Sequence, residues 1–413
     1  MHFVSDRQAT GGSRRRGGSV SLLFCLALIL LLPAICLAKG KSDPVGNGDY
    51  EVKLGRENAA ANDKTVKLVT NAAIVDRVNR IGQEIAAVAD KTPVPAQWGY
   101  SKLIPFKFTF KVVDSPDVNA YSLPGGFVYV DMGLLKFVHS DDELAGVLAH
   151  EISHVMHHHM LKLLREQEKT ANSTLPFILL LGAISHSPTS TASLLMAGNL
   201  YMVARMNSYS IQAEEDADHT AVIYLTHTKF NPVGLLTFME RLARKDNLGP
   251  EQNLGYLRNH PTTPARVQAL IAELHQLHIP LDRTVTDPEL AAQVAYDQVN
   301  GVHLAEITMN KVVIARLSDS NGIAAKERAD KVSTTLNNLF NDNLQLYELN
   351  LNPQKDAVVA RGQAIITFTP ADAKANNETV TALAQGALDA IKNVIWKQQL
   401  NTTITNTPQV SPN

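Results

Sequence analysis

The sequence predicts an α+β fold: a mostly helical first part with a small β-sheet, followed by a carboxy-terminal β-α-β-β-α unit. Three observations predict it. Apolar residues recur at three- and four-residue spacing over residues 51–89, 141–167 and 208–225, as in helices with one buried stripe. Residues 106–112 alternate strictly, and residues 118–123 and 127–130 flank Pro124-Gly125-Gly126 in the manner of a hairpin. After a Pro- and Asp-rich connection at residues 279–288, the composition turns to Asn, Thr and Ala while strand and helix patterns alternate. With 413 residues, 45% of them hydrophobic and 19% charged, the chain can fill two ordinary globular cores.

Residues 1–38 stand apart. Arg14, Arg15 and Arg16 precede the apolar run at residues 22–32, then Pro33 and the small-residue end Cys36-Leu37-Ala38, the pattern of a secretory signal peptide. Cleavage after Ala38 is expected. A membrane anchor over residues 20–38 is the alternative, but spanning takes about 20 apolar residues and Pro33 interrupts this run. Both cysteines, Cys25 and Cys36, leave with the signal, so the mature chain forms no disulfide and depends on its apolar core. The formal net charge of −2, more negative once the basic amino terminus is gone, argues against nucleic-acid binding. The sequons at Asn172, Asn377 and Asn401 matter only in a eukaryotic secretory pathway.

Residues 39–50, rich in Gly, Lys and Asp, read as a flexible lead-in to a domain spanning residues 51–280. Its first helical stripe is Val75, Val78, Ile81, Ile85 and Val88. Beyond the hairpin, Ser140 and Glu143 form a capping-box pair, and Asp141 and Asp142 favour the positive start of a helix running from Asp141 to about Gln167. Leu144, Val147, Leu148, Ile152 and Val155 give that helix its buried stripe. It carries His150-Glu151-Ile152-Ser153-His154. Two histidines at i and i+4 share a face and reach one metal ion at about 2.0–2.1 Å. Glu151 projects about 100° away, where it takes a proton from water that the metal activates. His157, His158 and His159 read as a polar helix face instead of further ligands.

Residues 177–184 are apolar but too few to span a membrane, and read as a buried helix, with a cover over a cleft as the alternative. Residues 196–206 resume an apolar pattern and lead into the helix at 208–225. Glu214 and Asp218 share a face of that helix. A glutamate from a later helix is a common third ligand beside two helical histidines, and a carboxylate one turn on accepts a ligand histidine N–H. His260 stands before Pro261 and Pro264, in a loop. It is either a surface histidine or one that approaches the metal from its open side, there stabilising the oxyanion or blocking the free position at rest.

Taken together, these residues resemble the zinc metalloproteases that include HtpX, the periplasmic BepA type and the prenyl-protein proteases. The resemblance rests on residues 119–126 (NAYSLPGG), the motif from His150 to His154 with His159 after it, Tyr209-Ser210, Glu214 with Ala217-Asp218, and His260-Pro261 with Arg266. It implies a gluzincin-type endopeptidase with a zincin-type metalloprotease domain. One Zn²⁺ per chain is then held by His150, His154 and Glu214, with Glu151 and His260 catalytic and Asp218 and Arg266 behind the ligands. The strand with Asn119, Ala120 and Tyr121 becomes an edge to which extended substrate adds through main-chain hydrogen bonds. The family often has arginine where Ile211 stands and glutamate where Asp216 stands, which alters local salt bridges.

Residues 281–300 read as a linker and residues 301–400 as an accessory domain of unknown role. Residues 311–317, 344–351 and 364–368 read as strands. Ala329, Val332, Leu336 and Leu339 mark one helix, and Val380, Leu383, Ala387, Leu388, Ile391 and Val394 another. Residues 401–413 read as a tail. The whole describes an exported, periplasmic zinc endopeptidase in envelope protein quality control. Its expected partners are unfolded or outer-membrane proteins and envelope assembly machinery. Two alternatives stand beside it: a chaperone-like assembly factor with little turnover, and a structural zinc site, disfavoured because those are rich in cysteine.

Overall fold

The computed structural model describes residues 48–170, 209–246, 260, 264–299 and 302–400. The expected signal peptide, most of the lead-in, the apolar stretches 177–184 and 196–206, the sequons at Asn172 and Asn401 and the tail lie outside the described residues.

The described residues have an α+β architecture, mostly helical with small sheets. The stripe expected over 51–89 is divided between α1 (Gly48–Thr65) and α2 (Ala72–Ala89). Between them Leu68 bridges to Val113, and the Val69 amide donates to the Val112 carbonyl at 2.9 Å. Asn71 restarts the helix by accepting the Ile74 amide. In the sheet, β1 (Thr109–Val113) runs parallel to β3 (Phe127–Asp131), and β2 (Ala120–Leu123) pairs with β3 antiparallel across the expected turn. Among the described residues the order β1-β3-β2 leaves β2 at an edge.

A short helix α3 (Met132–Phe137) leads to α4 (Asp141–Met156). Ser140 caps α4 by accepting the Glu143 amide at 3.2 Å. The Glu143 carboxylate does not return the bond to Ser140; it accepts from the His139 amide at 2.8 Å and pairs with Arg241. Every residue of α4 from Glu143 to Met156 is buried, the state of a helix running through the middle of a core. Around it pack α2, β2, α6 (Ile211–Leu225) and α7 (Val233–Asp246). A Cβ on Gly146 would lie 2.7 Å from Leu235 Cα, so the close approach of α4 and α7 needs glycine there. Burying Leu148 or Ile152 completely stabilises the fold by about 1.5–3 kcal/mol each, which fixes the helix against rotation.

The expected helix over 141–167 breaks at His157 and His158, and α5 (His159–Thr170) starts in a new direction. His158 takes φ 55°, a left-handed conformation that costs a non-glycine residue about 1–2 kcal/mol. Its ring compensates, with Nδ1 2.7 Å from Glu51 Oε2 and Nε2 3.3 Å from the Lys102 carbonyl.

After α8 (Pro264–Gln276), the stretch read as a linker holds α9 (Arg283–Thr286), a 3₁₀ turn and β4 (Gln293–Val299). Arg283 pairs with Glu240 on α7 at 2.7 and 2.9 Å and donates to the Asn341 carbonyl. Asp287 lies 2.6 Å from His139 Nδ1 and 3.3 Å from Arg241, and Ser140 donates to the Thr286 carbonyl at 2.5 Å. The strands β4, β5 (Val302–Met309) and β6 (Val312–Ser318) form an antiparallel sheet, followed by α10 (Ala325–Asn341). A second sheet joins β7 (Leu349–Leu351), β8 (Ala357–Ala360) and β9 (Gln363–Thr367), and α11 (Pro370–Asn376) and α12 (Val380–Leu400) close the unit. The pattern missed β4, β5 and β8. β4 mixes Val294, Tyr296 and Val299 with Gln, Ala and Asp, which have little strand preference, and its seven-residue pairing with β5 decides.

Candidate metal centre

His150 and His154 project from one face of α4 toward Glu214 in the first turn of α6, which Ser210 caps by accepting the Ala213 amide. His150 Nε2 lies 3.0 Å from His154 Nε2 and 3.4 Å from Glu214 Oε2, and His154 Nε2 lies 3.5 Å from Glu214 Oε1. His260 joins them, its Nδ1 3.3 Å from His150 Nε2 and 3.0 Å from Glu214 Oε1. One donor atom from each of the four lies within 4.8 Å of the others. A tetrahedral ion with bonds of about 2.0–2.1 Å places its ligands about 3.3 Å apart. The observed spacings bracket that edge. Four buried donors facing one another around a point suit a divalent cation.

Asp218, one turn after Glu214, lies 2.9 Å from His150 Nδ1. Arg266 on α8 is wholly buried and forks onto Asp218 at 2.8 and 2.9 Å, with its third nitrogen 2.8 Å from Glu214 Oε2. Burial alone would raise both carboxyls. The His260 and Arg266 charges hold Glu214 well below the usual carboxylate range, and Arg266 and His150 lower Asp218. Burial works against the imidazolium of His150, yet its bonds to Asp218 and Glu214 raise it to about 9. Burial and the neighbouring His150 charge push His154 well below its ordinary value. Burial and hydrogen bonding thus push the two facing imidazoles in opposite directions.

Glu151 is also buried, and its Oε1 lies 3.2 Å from His260 Nε2. Tyr209 stacks on the His154 ring at 4.1 Å; burial, with the Glu151 and Glu214 charges, pushes its hydroxyl well above the ordinary range. Asn119, Ala120 and Tyr121 lie at the start of edge strand β2, and all three are buried. The Tyr121 ring turns away from the cluster, stacking on Tyr129 at 5.1 Å and accepting from Asn62 at 2.9 Å. The Asp131 amide donates to the Asn119 carbonyl, so in the alternation of an antiparallel pair the main-chain groups of Ala120 and Ser122 point away from β3.

The three histidines expected on a polar helix face are buried instead. His157 Nε2 lies 2.7 Å from Thr220 Oγ1, and burial and the adjacent His159 lower it to about 4. His159 Nδ1 lies 2.8 Å from His154 Nδ1, and burial lowers its value too. Sequence reasoning missed this contact. In an unbroken helix a residue five positions on points about 140° away; only the turn at His157 and His158 brings His159 round. No helix stop residue announces that turn. Sequence reasoning gives Tyr209 no role of its own either. Its signal is its place beside the Ser210 cap, at the entry to the helix that delivers Glu214.

Residues 76–274 match peptidase family M48, and residues 281–398 match a family described as a domain of unknown function, DUF8459. The chain is 26% identical over 247 residues to the beta-barrel assembly-enhancing protease of Escherichia coli K12, covering 57% of this chain and 45% of that protein. It is 29% identical over 200 residues to the mitochondrial metalloendopeptidase OMA1 of Saccharomyces cerevisiae, covering 46% of this chain and 53% of that protein. The matches thus span about half the length of these relatives.

Proposed function

Residues 76–274 form a peptidase family M48 domain, and on that premise we propose that the protein is an exported zinc-dependent endopeptidase. Its substrates are unfolded or misassembled proteins of the cell envelope. The observation that carries the proposal is the convergence of His150, His154 and Glu214 on one point with the Glu151 carboxylate beside it. Nitrogen and carboxylate donors without cysteine suit a catalytic zinc with three protein ligands. When bound there, zinc polarises the scissile carbonyl and makes a nearby water more acidic. Glu151 takes the proton of the attacking water and returns it to the leaving amine. Arg266 holds Glu214 and Asp218, and Asp218 holds the His150 ring. The outward main-chain groups of Ala120 and Ser122 receive an extended substrate as an added strand.

His260 occupies the open side of the cluster and serves as a resting lock: its Nδ1 fills the position that substrate needs. Export rests on residues 1–38, and among the described residues no helix is long and apolar enough to cross a membrane. The name of the Escherichia coli relative, a beta-barrel assembly-enhancing protease, supports a substrate among assembling β-barrel proteins.

The test is cleavage of casein, with and without a chelator, beside Glu151→Gln. The variant should keep zinc and fold while losing about 10²–10⁴ in rate. Undiminished cleavage by Glu151→Gln would remove Glu151 as base. A wild-type protein that binds unfolded chains without cutting them would make the protein an assembly factor.

A further inference from the structure

We infer that His159 is a positioning residue: it fixes the tautomer of His154 so that the Nε2 lone pair faces the metal. The loop at residues 97–100 fixes His159 in turn. The inference deepens the proposed zinc site and rests on it.

The direction of each hydrogen follows from the partners. The Trp98 carbonyl only accepts, and it lies 3.0 Å from His159 Nε2, so that nitrogen carries the hydrogen. A neutral imidazole has one N–H, which leaves His159 Nδ1 with a lone pair. That lone pair faces His154 Nδ1 at 2.8 Å, and His154 must donate across the contact. Its Nε2 is then bare. It faces His150 Nε2 at 3.0 Å and Glu214 at 3.5 Å, the direction of the proposed metal. With the chain reversed, His154 would carry its hydrogen at Nε2 and lose its place in the ligand set.

The carbonyl that starts this relay is itself held. Asp216 accepts the Gln97 amide at 2.9 Å and the Trp98 amide at 2.5 Å. The Tyr100 amide donates to the His157 carbonyl at 3.0 Å, and the Lys162 ammonium sits 4.3 Å over the Trp98 ring. Between them Gly99 has φ +133°, and a Cβ there would lie 2.6 Å from the His157 carbonyl and 2.9 Å from His159 Cδ2. Only glycine allows the loop so near the ring. The two ligand histidines are thus oriented by different means, His150 by a carboxylate and His154 by a neutral imidazole backed by a peptide carbonyl. Groups that orient a ligand in this way are worth about 10–100-fold in metal affinity.

The test uses the full chain, stripped of metal and titrated with zinc against a chromogenic chelator. His159→Phe fills the ring's volume without an acceptor and should bind zinc about 10–100-fold more weakly than wild type. His159→Asn keeps an oxygen near the lost Nδ1 and should recover most of that loss. Wild-type affinity in His159→Phe would overturn the inference, leaving His159 as packing. An independent measurement needs no variant: in protein with ¹⁵N-labelled histidine, a scalar coupling should join His154 Nδ1 and His159 Nδ1, with the hydrogen on His154. A hydrogen on His159 Nδ1 would also overturn it. Failure of the wild-type protein to bind zinc at all would instead overturn the proposed function.

Discussion

Zinc should have to displace a proton from His150, and its affinity should therefore climb with pH. Burial disfavours the His150 imidazolium, but the Asp218 and Glu214 carboxylates outweigh burial and raise it to about 9. At about 1.36 kcal/mol per pH unit, the cost of removing that proton falls by about 2.7 kcal/mol between pH 7 and pH 9. Apparent zinc affinity should rise about 50-fold over that range, nearly a decade from pH 7 to pH 8 and less as pH nears 9, and level off above it. The same proton stabilises the metal-free fold with the opposite dependence. Its folded-state value lies above the unfolded value of about 6.5, so the contribution is complete below pH 6.5 and is lost as pH rises through 9. Its size is about 3 kcal/mol. The assay is chelator competition at a series of pH values, beside melting of the metal-free protein. Asp218→Asn removes the carboxylate that holds the proton, and its zinc affinity should be nearly flat between pH 8 and pH 9. Equal slopes in the variant and the wild type would refute the reasoning.

Two further outcomes follow from the same cluster. His260→Ala should cleave an unfolded protein faster than wild type at equal zinc content, because the imidazole facing Glu214 and His150 is gone; a rate lower by about 10²–10³ would make His260 an oxyanion donor instead. Arg266→Met should destabilise the metal-free protein by about 3–5 kcal/mol in denaturant unfolding, since it strands the buried Glu214 and Asp218 carboxylates. Zinc should restore part of that loss by neutralising Glu214, and a loss under about 1 kcal/mol would count against the pairing.

What was legible in the sequence is what depends on near neighbours. The Ser140 cap, the buried stripe of α4, and the i, i+4 pairs His150/His154 and Glu214/Asp218 all follow from helical geometry. That the two pairs face each other follows only from the packing of α4 against α6. The break at His157 and His158 was not legible, because its supports come from Glu51, Lys102 and Thr220, far off in the chain. With those partners hidden, three histidines in a row read as a solvated face. The carboxy-terminal strands were missed for a related reason: β4 mixes Val and Tyr with Gln, Ala and Asp, β8 is only four residues long, and both are set by the neighbours they pair with.

The junction at residues 282–287 is also a load path. It lies within the stretch that matches the second family, yet Thr286 and Asp287 are gripped by Ser140, His139 and Arg241. Arg283 and Thr284 meanwhile hold Asn341 at the end of α10. A force applied to the carboxy-terminal unit is delivered to the amino end of α4, about three turns from His150, and not to a slack tether. Whatever grips that unit pulls on the helix that carries the metal ligands.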